Sequence, residues 1–290
     1  MKSPKANPLE PTETAAARYE IVGTIGRGAT GSVYQAYDHA LFRMVALKIL
    51  DKDASDPARR SFDRERTALA RSQHANIVAL YDCRSRSRQP FMALSYHPGP
   101  SLQAVLTQGS LSGALTAALG HEISRALDHV HGNGFVYRDL KPENVLIDDE
   151  RVVLIDFGTA VEVGIDRTRS EVAGTLGFMA PEQYEGRNVD ARSDVFGLGA
   201  LMYEACIGTT PYGVFAKRRR CIRPHRYLHP REAKPDLPES VAHVIHTCLA
   251  LDPAERYSTM IEVRDALLAV LAEQGVHDPR RLIGATLTES

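Results

Sequence analysis

The tightest constraint in this 290-residue chain is the run Tyr137-Arg138-Asp139-Leu140-Lys141-Pro142-Glu143-Asn144-Val145-Leu146, with Ile155-Asp156-Phe157-Gly158 soon after a short apolar strand. An aspartate among basic residues, an asparagine at the fifth position beyond it and a second aspartate before Phe-Gly form a constellation that chance rarely supplies. Such a set places basic side chains, two carboxylates and a carboxamide in one short stretch. A phosphoryl group in flight spreads negative charge over its oxygens, so a site for it needs cations and fixed donors more than a strong nucleophile.

Two motifs precede that run. Gly26-Arg27-Gly28-Ala29-Thr30-Gly31-Ser32-Val33 is a GxGxxGxV loop, and glycines let backbone N–H groups come close to phosphate oxygens because no Cβ intervenes. Alone it also fits an ordinary glycine-rich hairpin. A dinucleotide-binding fold would need a helix next, whereas Ser32-Val33-Tyr34-Gln35-Ala36-Tyr37 continues as strand. Val45-Ala46-Leu47-Lys48 then puts a lysine on an apolar strand, and burying an unpaired ammonium is costly. A nucleotide phosphate and the carboxylate of Glu65, on the one helix between the strands, would compensate it. The competing expectation is that Lys48 snorkels to solvent and Glu65 lies on the surface.

Periodicity supplies the frame. Tyr19 to Ile25, Ser32 to Asp38 and Met44 to Leu50 read as three strands of an antiparallel meander, and Ile77 to Cys83 and Pro90 to Tyr96 as two more. Asp56 to Ser72 has helical spacing. After HPGPSL the chain turns mainly helical, over Leu102 to Leu106, Gly113 to Gly132, Val195 to Gly208, Ser240 to Leu251 and Met260 to Gln274. An α+β, two-lobed arrangement is expected, with a small antiparallel β lobe carrying one helix (18–97) and a larger helical lobe (98–272). Residues 1–17, rich in Pro, Thr, Ala and charge, read as a flexible leader, and 273–290 as a C-terminal tail.

A composition of 43% hydrophobic and 24% charged residues is that of an ordinary globular protein, and a formal net charge of -1 gives no global pull toward nucleic acid or anionic lipid. No nucleic-acid partner is expected. The four cysteines are scattered without a CxxC pair, which fits a reducing cytoplasm. The N-terminus lacks the apolar core of a secretory signal, and the longest apolar stretch, Val195 to Gly208, contains Glu204 and is too short to span a bilayer. A cytoplasmic protein without membrane insertion is expected.

With these motifs in this order, the sequence resembles the protein kinase family from about Tyr19 to Leu271. The resemblance implies the bilobal kinase fold with ATP in the cleft between the lobes, and Mg²⁺, or Mn²⁺ in its place, as metal. It implies that Gly26, Gly28 and Gly31 cover the phosphates and that Lys48, paired with Glu65, holds the α and β phosphates. Asp139 would orient the substrate hydroxyl and accept its proton, Lys141 would neutralise the γ-phosphate, and Asn144 and Asp156 would hold the metal. Ile25, Val33, Ala46 and Leu146 match apolar positions around adenine, Leu94 the gatekeeper, and Ser95 to His97, with Tyr96 between them, the hinge. Glu182 would pair with Arg256, and Asp194 would anchor the catalytic loop.

Lys141-Pro142-Glu143 and Gly174-Thr175 resemble the serine/threonine branch, with Thr175 contacting Lys141 and Asp139. Ala180-Pro181-Glu182-Gln183 and the insert-poor layout resemble the bacterial eukaryotic-like kinases. Arg138 before Asp139 resembles kinases switched on by phosphorylation of the activation segment, and Thr168 and Ser170 are the candidate acceptors. Tyr137 stands where most kinases have histidine, read here as a packing variant under Phe157, and Phe196 needs only an aromatic core contact. The basic cluster Lys217, Arg218, Arg219, Arg220, Arg223, Arg226 and Arg231 would suit an acidic substrate or partner, or is a solvated face. The expected activity is ATP- and Mg²⁺-dependent phosphorylation of Ser/Thr hydroxyls on proteins, its own activation segment included. The rival is a pseudokinase scaffold, but such proteins usually lack a lysine or aspartate equivalent to Lys48, Asp139 or Asp156, and all three are present here.

Overall fold

A computed structural model describes residues 18–28, 31–87, 89–164, 173–211 and 227–287. They fall into two compact units. The first holds the described residues up to Arg66 together with Ala79–His97, and the second holds Thr67–Val78 and those from Pro98 onward.

The first unit is built on a five-stranded antiparallel sheet in the order β1-β2-β3-β5-β4, from β1 (Tyr19–Gly28), β2 (Gly31–Asp38), β3 (Arg43–Leu50), β4 (Leu80–Arg84) and β5 (Phe91–Ser95). Helix α1 (Asp56–Arg71) follows β3. Side chains alternate across a strand, so the ladder register decides which residues share a face. Val33 lies opposite Lys48, Lys48 opposite Met92, and Ala46 opposite Leu94, which puts these five on one face. On the other face Tyr34, Ala36, Val45, Leu47, Ile49, Phe91 and Ala93 form the apolar core with Tyr19. Arg18 ties the sheet edge together, donating to both carboxylate oxygens of Asp38 and to Asp82 at 2.9 Å each.

The second unit contains α2 (Leu102–Leu106), α3 (Gly113–Gly132), β6 (Phe135–Val136), β7 (Val145–Asp148), β8 (Arg151–Leu154), β9 (Val161–Glu162), α4 (Pro181–Tyr184), α5 (Ala191–Ile207), α6 (Pro230–Ala233), α7 (Glu239–Cys248), α8 (Met260–Glu273) and α9 (Pro279–Leu287). Helix α3 packs against α5, α8 and α9, and α5 also packs against α7. Two short two-stranded antiparallel sheets, β6-β9 and β7-β8, frame the loops that carry the motif residues.

The strand expected from Ile77 starts instead at Leu80. Ile77 forms a parallel bridge with Leu154 and Val78 N–H donates to Leu154 O at 3.0 Å, so this apolar pair is buried in the second unit. Helix α5 begins at Ala191 rather than Val195. The Asp190 side chain caps it by accepting from Arg192 N–H at 2.8 Å, and the polar first turn hides the start from an apolar-run reading. Residues 279–287 form a helix within the stretch read as a tail. The leader, Thr168, Ser170 and all of the basic cluster except Arg231 lie outside the described residues. Arg231 itself pairs with Glu239 at 3.3 Å. Among the described residues no helix is long and apolar enough to cross a membrane.

Candidate functional site

In the first unit Lys48 and Glu65 meet. The Lys48 ammonium stands 2.5 Å from Glu65 Oε2, with side chains only 10% and 2% exposed, which rules out the snorkelling alternative. Lys48 shares its sheet face with Val33, Ala46 and Leu94, and Leu94 is buried while Val33 and Ala46 are half-buried. Ile25 on β1 is 51% exposed, an aliphatic side chain without core packing.

The three loop glycines differ. A Cβ on Gly31, at φ +143°, would stand 2.1 Å from Ile49 O, so the fold itself demands glycine there. A Cβ on Gly26 or Gly28 would meet nothing within 4 Å. No packing requirement explains those two.

In the second unit the motif loop is held from below. Asp194, in the first turn of α5, accepts from Tyr137 N–H and Arg138 N–H at 2.8 Å each, and its Oδ2 lies 2.7 Å from His131 Nε2. Tyr137 stacks edge-on to Phe157 with ring centroids 4.9 Å apart, and its hydroxyl donates to Ile155 O. Burial, with Asp156, Asp139 and Asp194 nearby, pushes the Tyr137 phenol well above its ordinary pKa, so this hydroxyl stays a donor. Tyr137 thus packs against Phe157, as expected of a packing variant.

Above this base the functional groups converge. Thr175 Oγ1 donates to Asp139 Oδ1 at 2.7 Å, Lys141 Nζ donates to Thr175 Oγ1 at 3.0 Å, and Lys141 Nζ lies 3.0 Å from Asp139 Oδ2. Asn144 Nδ2 donates to Asp139 O at 3.0 Å, and Ile155 N–H donates to Asn144 O at 3.0 Å. That bond sets Asp156 beside the Asn144 turn. Arg138 and Asp156 both hold left-handed backbone, φ 70° and 60°, a conformation unusual outside glycine that costs on the order of 1–3 kcal/mol and gathers at functional sites.

The Glu182–Arg256 pair is also formed, bidentate at 2.8 and 2.9 Å. Burial alone would raise the Glu182 pKa, but hydrogen bonds and charge from Arg256 outweigh it and hold the carboxyl below its ordinary range. Arg256 also stacks on Phe196, 4.9 Å from its ring centroid, which supplies the aromatic contact expected of that residue.

The structure thus assembles Lys48 with Glu65 in one unit and Asp139, Lys141, Asn144 and Thr175 in the other. Two residues with structural parts in this site were not anticipated. His131 contacts Asp194, and Gln183 bridges two loops, as described below; neither carries a sequence signal beyond its place near a motif.

A family model described as the protein kinase domain matches residues 19–268. The chain is 38% identical over 256 residues to the DNA damage-responsive serine/threonine-protein kinase RqkA of Deinococcus radiodurans, covering 84% of this chain and 38% of that protein. It is 34% identical over 284 residues to the serine/threonine-protein kinase PknD of Mycobacterium tuberculosis, covering 93% and 42%. With PknB of Mycobacterium leprae it shares 32% over 288 residues, covering 92% and 45%. The chain spans about two fifths of the length of these curated relatives.

Proposed function

Because the chain belongs to the protein kinase family, we propose that it transfers the γ-phosphoryl group of ATP, with Mg²⁺, to serine or threonine hydroxyls of proteins, its own activation segment included. The observation that carries this reading is the triangle of Asp139, Lys141 and Thr175, in which a carboxylate and an ammonium are fixed at 2.7 to 3.0 Å through one hydroxyl.

Asp139 holds the incoming hydroxyl in line and takes its proton, with Oδ1 oriented by Thr175. Lys141 offers its charge to the γ-phosphate. Lys48 holds the α and β phosphates, its position set by Glu65. The open surroundings of Gly26 and Gly28 suit backbone donors approached by phosphate oxygens.

A magnesium ion fits the residues on offer. Asp156 supplies an exposed carboxylate and Asn144, whose Nδ2 is turned to Asp139, a carboxamide oxygen. Both are hard oxygen donors, and Mg²⁺ is usually held by one or two carboxylates with substrate phosphates and water completing its shell. When bound, the ion would neutralise phosphate charge.

Ile25, Val33, Ala46 and Leu146 serve the adenine ring, with Leu94 as gatekeeper and Ser95 to His97 as the hinge whose backbone groups bond the base. Thr168 and Ser170 are the candidate autophosphorylation sites. The proposed partners are protein substrates, with an acidic protein at the basic cluster 217–231. The protein acts in the cytoplasm.

Label transfer from γ-labelled ATP to a generic basic protein tests the reading. Wild type should transfer label, and Asp139→Asn should transfer about 10²- to 10⁴-fold less at an unchanged melting temperature. Equal transfer by the two would sink it. Mass spectrometry after incubation with ATP should find phosphate between Gly158 and Ala180, and none there would rule out self-activation through this segment.

A further inference from the structure

Gln183 follows Ala180-Pro181-Glu182 on α4 and is buried, at 4% exposure. Its Oε1 accepts from Ala180 N–H at 3.1 Å. Its Nε2 donates to Arg138 O at 2.9 Å and to Ala173 O at 3.3 Å. The carboxamide orientation is determined by these partners, since the flipped form would set a nitrogen against an N–H and an oxygen against two carbonyls.

The two carbonyls belong to functionally different loops. Arg138 immediately precedes Asp139, and Ala173 lies two residues before Thr175. Between them the backbones come so close that a Cβ on Gly174, at φ +128°, would stand 2.9 Å from Arg138 O. One side chain therefore clasps the loop that delivers Thr175 Oγ1 to the loop that delivers Asp139, with Thr175 then spanning the remaining 2.7 Å. A buried neutral amide that satisfies three backbone groups across two loops is well placed to fix their register.

We propose that Gln183 is a positioning residue for phosphoryl transfer: its Nε2 bonds to Arg138 O and Ala173 O hold Thr175 in register with Asp139 and Lys141. The proposal rests on the kinase reading for its effect on turnover, and on the geometry alone for its effect on the loop. Without the clasp, Thr175 drifts from Asp139, the carboxylate loses its orientation, and a displacement of about 1 Å at such a site costs up to about 100-fold in rate.

Gln183→Glu keeps the size and the acceptor for Ala180 N–H but replaces the donor by an oxygen facing two carbonyls. The expected result is a kcat about ten- to hundredfold lower, with the KM for ATP unchanged. In a cycle with Thr175→Val, the double variant should be no slower than Thr175→Val alone, because both changes break the same link. Losses that multiply, or Gln183→Glu turning over like wild type, overturn the proposal. Hydrogen exchange of the Gly174 and Thr175 amides should speed up in Gln183→Glu, and unchanged exchange also overturns it. That second readout stands even if wild type transfers no phosphate, which would sink the kinase reading alone. If Gln183→Glu does not fold, Gln183→Met, which removes the donors without adding a third oxygen, carries the same measurements.

Discussion

Two buried ion pairs, one in each unit, each join a basic side chain to a glutamate and differ in what surrounds them. Arg256 uses all five of its donors: two on Glu182, and one each on Arg192 O, Ala250 O and Leu251 O. Ser193 Oγ donates to the same carboxylate at 2.7 Å. That network is complete within the protein. Lys48 is a compact point charge on a flexible stem, 2.5 Å from Glu65 Oε2 on the sheet face that also carries Val33, Ala46 and Leu94. A saturated pair supports the fold; a lysine set beside a carboxylate on an apolar strand is suited to a phosphate. The difference teaches that burial and charge alone do not mark function, while the surface on which a pair is set does.

The largest expected effect follows from the saturated pair. Arg256→Ala leaves Glu182 buried without its counterion and should lower unfolding stability by about 3–5 kcal/mol in urea titrations. A loss below about 1 kcal/mol would break the comparison. Glu122 on α3 is a second saturated hub, where Arg280 from α9 and Arg125 both bond it. Burial alone would raise the Glu122 pKa, but the bonds from His121 and Arg280 and the charge of Arg125 win and lower it from 4.5 to about 2. A depressed carboxyl stabilises the fold above its unfolded pKa, and that stability drains away as pH falls from about 4.5 toward about 2. The shift corresponds to about 3 kcal/mol, so an acid titration of Glu122→Gln should show a flatter limb than wild type across that window.

Lys48→Met should instead cut phosphoryl transfer by about 100-fold or more while moving the urea midpoint less than Arg256→Ala does. A midpoint shift as large as that of Arg256→Ala would make Lys48 a fold residue. The glycine loop sharpens the same contrast on a smaller scale. Gly31→Ala should lower stability by about 1–3 kcal/mol, because φ and the Ile49 carbonyl both oppose a Cβ. Gly26→Ala should leave the melting temperature in place and raise the KM for ATP.

Much of this was legible in advance, for identifiable reasons. Strands β1 to β3 and helix α3 announce themselves by their apolar content, and the Thr175, Asp194 and Glu182–Arg256 contacts follow from the family resemblance. The start of β4 was not legible, because Ile77 and Val78 are as apolar as strand residues while their partner, Leu154, is remote in sequence. Helix α9 did carry a signal in Asp278-Pro279, where the Asp278 carboxylate accepts from Arg280 and Arg281 N–H ahead of a proline at the first position. Gln183 was recognisable only as part of Ala-Pro-Glu-Gln, since a carboxamide joining two loops leaves no periodicity behind.

The central proposal is that Lys48 and Lys141 each serve the phosphates of ATP. An acyl-phosphate derivative of ATP tests it directly, since an amine near its phosphates attacks the acyl carbon, keeps the acyl group and releases ATP. Peptide mapping should find both lysines acylated, and both protected by excess Mg²⁺ and ATP. Modification of only one lysine or of neither, or modification that ATP does not suppress, would contradict the account.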